Sequence, residues 1–311
     1  MFKINDFETF TMTTELERNA LYELSKNLEL KDDDCLLEFG VYFGGSLEAI
    51  AEGLKKNKYY NDNMIIGVDA FSTIDGEEFS KIVTKDAKAN KLYDLLEKNN
   101  NKLNWIKIPE SKLAHHKNLK LIQTKIEKYS HKYGNIALVH FDLPKYYDDM
   151  YCIMKECLEN FQQGTLFIFQ DFFYHWSAET IAFIYYLIKN DIVEFVYGVS
   201  SSLICKNVNL ELKNLDEFKQ LLENPEAILN LLDECHTYLK EKNFCGARVI
   251  FAEEFYLAAI QYSTQYNDKK MKSKYETIFE AIKTSYGNQM YSELEKYNFN
   301  GKKSFKGEVQ I

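Results

Sequence analysis

Short apolar runs alternate with helical stripes along the first two thirds of the chain, which predicts a parallel sheet wound with helices. Thr14 and Glu17 have capping-box spacing, and Leu16, Ala20, Leu21, Leu24 and Leu28 recur at helical intervals, so a helix precedes the first strand. The stretch from Cys35 to Phe71 then reads as one βαβ unit. CLLEF is an apolar strand, Gly40, Gly44 and Gly45 make a turn, Leu47, Ile50 and Leu54 share a helix face, and MIIGVD is a second strand ending in Asp69.

A long polar stretch, Ser72 to Asn118, follows with a helix predicted around residues 87–97; its length and place suggest a lid or an acceptor-binding insertion. Leu119–Gln123 and Asn135–Phe141 read as the third and fourth strands, the latter running into Asp142. Pro144 opens an amphipathic helix marked by Tyr147, Met150, Tyr151, Met154, Leu158 and Phe161, closed at Gly164. Thr165–Phe169 is a fifth strand ending at Gln170 and Asp171, Ile181–Ile188 a helix, and Val193–Asn207 two strands joined at Gly198–Ser200. Beyond Leu210 the pattern is helical. The expected organisation is an α/β domain over 1–208, carrying the 72–118 insertion, and a helical region with an aperiodic tail over 209–311.

Composition narrows the function classes. The chain has 311 residues, 46% of them hydrophobic, which suffices for a large core. A net charge of −9 argues against duplex nucleic acid as partner. Six cysteines without a C-x-x-C pair signal neither a zinc knuckle nor a disulfide framework. The first residues lack a basic segment followed by an apolar run, and no stretch is long enough to span a bilayer, so a cytoplasmic, membrane-free protein is expected.

The glycine turn carries the chemistry. Glycines between a strand and a helix let a ligand approach bare backbone, and an acid ending the next strand, Asp69, can accept from the hydroxyls of a ribose. The turn is not G-x-G-x-x-G; it begins with Glu38, whose carboxylate would repel a pyrophosphate and pair with an α-ammonium group. That favours S-adenosylmethionine (SAM) over NAD. Asp69, Asp142 and Asp171 all end strands and so share one rim of the sheet, where open α/β folds bind ligands. His175 and Trp176 follow Asp171 in the loop at the rim, where they read either as shaping an acceptor pocket or as plain surface loop. His140, inside an apolar strand, reads as a core histidine, and Tyr146 as a better site residue than the core-facing Tyr147. Adjacent side chains diverge on regular elements, so His115 and His116 read as loop decoration in preference to a metal site.

LEFGVYFGGS, GVDAF, ALVHFDLPKYYD and QGTLFIFQDF, over about residues 36–190, resemble the SAM-dependent macrocin O-methyltransferase family. The resemblance implies a Rossmann-like class I methyltransferase sheet, mostly parallel with a terminal antiparallel strand, and methylation of a sugar hydroxyl in a glycosylated small molecule or polysaccharide precursor. It places Glu38, Gly40, Gly44 and Ser46 in the first SAM motif and Asp69 at the ribose. It also implies a magnesium site, to which this chain brings Asp142, Gln170 and Asp171, but Pro144 and Gln170 stand where the family has acids. Magnesium is therefore expected to bind weakly or not at all. Asp142, Asp171 or His175 is then the base, unless the acceptor is already anionic. Two other readings stay open: a non-catalytic SAM-fold regulator or scaffold, which the eroded acids favour, and a nucleotide-linked oxidoreductase, which Glu38 disfavours. The helical region can pack on the core or on a second subunit, so a homo-oligomer is compatible with it.

Overall fold

The computed structural model describes residues 7–143, 146–172 and 178–242, with helical positions at 269, 272–274 and 276–277. Helix α1 (Glu15–Asn27) starts at the predicted capping box, Thr14 accepting from the Glu17 N–H while the Glu17 carboxylate accepts from the Thr14 N–H. The expected unit follows as β1 (Asp34–Phe39), α2 (Gly45–Leu54) and β2 (Ile65–Asp69).

The insertion after β2 builds β3 (Ser72–Ile74), α3 (Glu78–Ala89), β4 (Glu97–Asn99), β5 (Lys102–Asn104) and α4 (Lys107–Leu113), with the three strands in a small sheet of their own. The helix lies earlier than the predicted 87–97. Ser80, Val83 and Ala87 form its buried face, and Lys91, in the left-handed region at φ 58°, follows where it ends. Then come β6 (Leu119–Gln123), β7 (Asn135–Phe141), α5 (Tyr147–Cys157), β8 (Phe161–Phe169), α6 (Ala178–Lys189), β9 (Val193–Val199), β10 (Ser202–Asn207), α7 (Leu212–Leu221) and α8 (Pro225–Glu241). Pro144, expected to open α5, lies outside the described residues. Among the described residues no helix is long and apolar enough to cross a membrane.

The main sheet has the order β6-β2-β1-β7-β8-β10-β9. All its strands are parallel except β10, which runs antiparallel to both β8 and β9. This is the expected Rossmann-like sheet, mostly parallel with one antiparallel strand. The antiparallel strand is last in sequence but sits one place in from the edge, because β9 fills the edge position first.

Alternation along β1 sends Leu36 and Glu38 to one face and Leu37 and Phe39 to the other. On the first face Leu36, Leu138, Ile168 and Ile204 pack under Leu21 of α1 and Leu47, Ile50 and Leu54 of α2. On the second, Leu37, Phe39, Phe141 and Phe169 meet α5 and α6, and the same cluster takes in Leu215 and Phe218 of α7 and Leu229 and Leu232 of α8. Helices α7 and α8 therefore belong to the core, and the hydroxyl of fully buried Tyr147 donates to the Leu215 carbonyl across it.

The end of α1 is held close to α2 and the turn that follows it. The Asn57 side-chain amide donates to the carbonyls of Ser25 and Leu28 at the end of α1 (2.7 and 2.8 Å). Gly53 lets the backbones touch, since a Cβ there would stand 2.3 Å from the Tyr22 carbonyl oxygen. Gly53→Ala should destabilise the protein by about 1–3 kcal/mol through this overpacking, against at most about 1 kcal/mol gained in helix propensity. Urea unfolding will measure it; a variant as stable as the wild type would show that α1 is free to shift.

Candidate functional site

The turn between β1 and α2 is built from left-handed residues. Gly40 and Gly44 both have φ 95°, and Tyr42 between them has φ 50°, a conformation that costs a residue with a side chain. At Gly40 a Cβ would meet the Asp142–Leu143 backbone at 3.0 Å, so glycine lets the turn nest against the end of β7.

Asp69 holds this shape. Its Oδ2 accepts from the N–H groups of Val41 and Tyr42, both at 3.0 Å, and its Oδ1 accepts from the Phe71 N–H at 2.7 Å. Burial drives its carboxyl above the ordinary range, the three N–H groups oppose the rise, and the charge of Glu38 adds to it. The sequence suggested an acid free for a ribose; the structure places it first as a brace for the turn. A carboxylate has about four acceptor positions, so one remains for a ligand hydroxyl.

Glu38, on the last turn of the pleat before the glycines, is fully buried. Its Oε1 accepts from the Ser46 hydroxyl at the start of α2 and lies 2.8 Å from His140 Nδ1, its neighbour across the β1–β7 register. Burial pulls the His140 pKa down, but the hydrogen bond and charge of Glu38, with Asp142 and Glu17 further off, outweigh it and raise the imidazole above its ordinary value. His140 is thus a core histidine, as expected, and also a partner of the site. Glu38 Oε2 has no partner although it is buried. No side chain caps the N-terminus of α2 above it.

The segment before α1 crosses the same corner. Thr9 donates its N–H to Glu48 Oε2 (3.0 Å), which also accepts from Arg18 Nη2 (3.0 Å), and a Cβ on Gly45 would meet Thr9 and Thr11. From the other side, the Tyr42 hydroxyl donates to Asp86 of α3 (2.9 Å), and Tyr42 packs beside Phe79 and Trp105, so the insertion is docked on the turn.

At the rim, Asp142 is half-buried and its N–H donates to the Phe39 carbonyl (2.8 Å). Gln170 is half-buried; its amide makes a long 3.5 Å contact with Thr13, while its Oε1 is buried without a partner. Asp171 has φ 56°, and its Oδ1 lies 3.3 Å from the Ser201 hydroxyl oxygen. His175 and Trp176 lie outside the described residues. Tyr146 is 65% exposed. Sequence reasoning missed Glu17, whose Oε1 accepts from the Ser201 N–H and the hydroxyls of Ser201 and Ser202 and so ties α1 to the β9–β10 turn. Its capping-box role gave no sign of this second one. Among the described residues, the His, Cys, Asp and Glu side chains that converge as a metal-ligand set are Glu52, His115 and His116, away from the rim acids.

No protein-family model and no curated protein matches the chain. Among solved structures it is similar to the O-methyltransferase NovP, at 14% identity and a TM-score of 0.42 over 62% of this chain and 78% of that one. It is also similar to CalS11, a TDP-rhamnose 3'-O-methyltransferase of calicheamicin biosynthesis, at 17% identity and a TM-score of 0.38 over 61% and 76%. An O-methyltransferase from Bacillus cereus follows at 15% identity and a TM-score of 0.35 over 62% and 79%. Likeness at this level says nothing of the chemistry of this chain.

The brace makes a prediction. Asp69→Ala leaves three inward N–H groups without an acceptor, each costing about 1–3 kcal/mol if it stays buried, so the variant should lose at least about 2 kcal/mol of stability. Denaturant unfolding that finds Asp69→Ala within 0.5 kcal/mol of wild type, roughly the scatter of neutral surface changes, would show that the turn does not depend on it.

Proposed function

We propose that the chain is a SAM-dependent O-methyltransferase acting on a sugar or glycosylated small molecule, with the cofactor held over the turn between β1 and α2. One observation carries the reading: Glu38 keeps a buried, unpartnered carboxylate oxygen under a glycine turn whose helix has no side-chain cap. A buried carboxyl oxygen left without a donor favours a ligand bearing N–H donors and a cation, such as the α-ammonium of SAM, over the pyrophosphate of a dinucleotide. The residues fit that cofactor: Glu38 for the ammonium, the Gly40–Gly44 turn for close approach, and the remaining acceptor position of Asp69 for a ribose hydroxyl. The sheet order, with its single antiparallel strand, supports the same reading.

The cofactor supplies a methyl group on a sulfonium, open to displacement in line. The protein's part is to hold an acceptor oxygen about 3–3.5 Å from that carbon and to manage its proton. Asp142 and Asp171 stand at the strand ends for this, as orienting groups or proton acceptors. The insertion docked on Tyr42 is the lid in this reading. Gln170 brings an oxygen but no charge to the place of a metal-binding acid, so magnesium binds weakly and is not required.

Thermal unfolding with SAM, S-adenosylhomocysteine, NAD and NADP tests the cofactor. Either sulfur ligand at 100 times its dissociation constant should add about 2.7 kcal/mol of stability, and the dinucleotides none. With a sugar acceptor, methyl transfer should survive EDTA at least in part and fall by about tenfold or more in Asp142→Asn and Asp171→Asn. Stabilisation by NAD in place of SAM would overturn the cofactor; activity abolished by EDTA and restored by magnesium would overturn the metal-free mechanism.

A further inference from the structure

The second corner of interest lies at the opposite edge of the sheet, where α2 ends and β6 begins. His115 and His116, on the segment joining α4 to β6, face Glu52 in the last turn of α2. Their Nε2 atoms lie 3.8 and 3.5 Å from Glu52 Oε1, and one ligand atom from each of the three residues lies within 4.8 Å of the others. The His116 side chain is fully buried, yet neither ring nitrogen has a hydrogen-bond partner. Its contact with Glu52 is close enough for attraction but is not a hydrogen bond. A buried imidazole left in this state costs stability unless something takes its lone pair.

We propose that Glu52, His115 and His116 form a binding site for a zinc-class divalent cation, which clamps the return of the 72–118 insertion to α2. Two imidazoles and one carboxylate are a donor set that zinc accepts, with water in the fourth position. Ligand bonds of about 2.0–2.1 Å in a tetrahedron put the donor atoms about 3.4 Å apart; the two histidine–Glu52 distances of 3.8 and 3.5 Å are within a few tenths of an ångström of this, and the exposed His115 ring closes the remaining gap by rotating. A cation on Nε2 accounts for one of the two idle nitrogens of His116.

Lys55 Nζ now sits 2.8 Å from the same Glu52 oxygen, and its side chain is 40% exposed. It is the competitor: an ammonium that fills the cation's place and can swing into solvent when the cation binds. The site is remote from Asp142 and Asp171, so its role is to fix the base of the insertion and not to take part in methyl transfer.

The test is titration of metal-free, full-length protein with Zn²⁺ by calorimetry and with Co²⁺ by visible absorption. One equivalent should bind, Co²⁺ should develop the intense bands of a four-coordinate ion, and Zn²⁺ should raise the melting temperature. His115→Ala and Glu52→Ala change partly exposed side chains and should leave the fold intact. Each should weaken binding by more than the ~100-fold that loss of an outer partner can cost. Lys55→Gln should tighten it. Absence of stoichiometric Zn²⁺ binding, or affinity unchanged in both His115→Ala and Glu52→Ala, would overturn the proposal.

Discussion

Two carboxylates buried side by side under a glycine turn set the terms for the rest of this molecule. Glu38 and Asp69 end adjacent strands, and each is taken out of water almost completely. Burying a charge is expensive unless it is compensated, and the chain compensates with whatever the corner offers. Asp69 takes three backbone N–H groups, two of them from Val41 and Tyr42, and so holds Tyr42 in its left-handed conformation. Glu38 takes Ser46 and His140, and that requires β7 to pair with β1 in the register that sets His140 opposite Glu38. The shape of the turn, the start of α2 and the β1–β7 register are thus parts of one electrostatic solution. One carboxylate oxygen is left over in it.

The elements around the turn extend the same logic outward. Glu48 and Arg18 pair in the buried layer between α1 and α2, and Glu48 also secures the Thr9 backbone. Burial lowers the Arg18 pKa while Glu48 and Glu15 raise it, and the guanidinium also stacks over Phe7. Glu17 links the other side of α1 to Ser201 and Ser202. The N-terminal helix is therefore tied to the first turn of α2 at Glu48 and to the β9–β10 turn beside Asp171 at Glu17, and Gly53 sets how closely it approaches α2. A displacement of α1 would be felt at both ends of the site.

Much of this could be read from the chain itself. Runs such as CLLEF and NIALVHF, bounded by glycines and acids, specify buried strands, and the capping box at Thr14 is a local signal that tertiary packing leaves intact. The helix of the insertion was misplaced because its buried face has only Ser80, Val83 and Ala87, too weak a stripe to stand out from the lysines around it. The double duty of Asp69 and Glu17 was illegible for another reason: which backbone N–H a carboxylate meets depends on how a turn 27 residues away is folded. Adjacent positions diverge on regular elements, but His115 and His116 lie on an irregular segment where both rings reach the same glutamate, a convergence that spacing does not reveal.

The central claim is that the unpartnered oxygen of Glu38 receives the cationic group of the cofactor. Calorimetric comparison of S-adenosylhomocysteine with its analogue lacking the α-amino group, on wild type and Glu38→Gln, measures this directly. A charge-assisted hydrogen bond is worth about 1.5–3 kcal/mol, so the amino group should strengthen binding to the wild type by about tenfold or more, and the advantage should largely disappear in Glu38→Gln. Equal affinity of the two ligands for the wild-type protein would contradict the account.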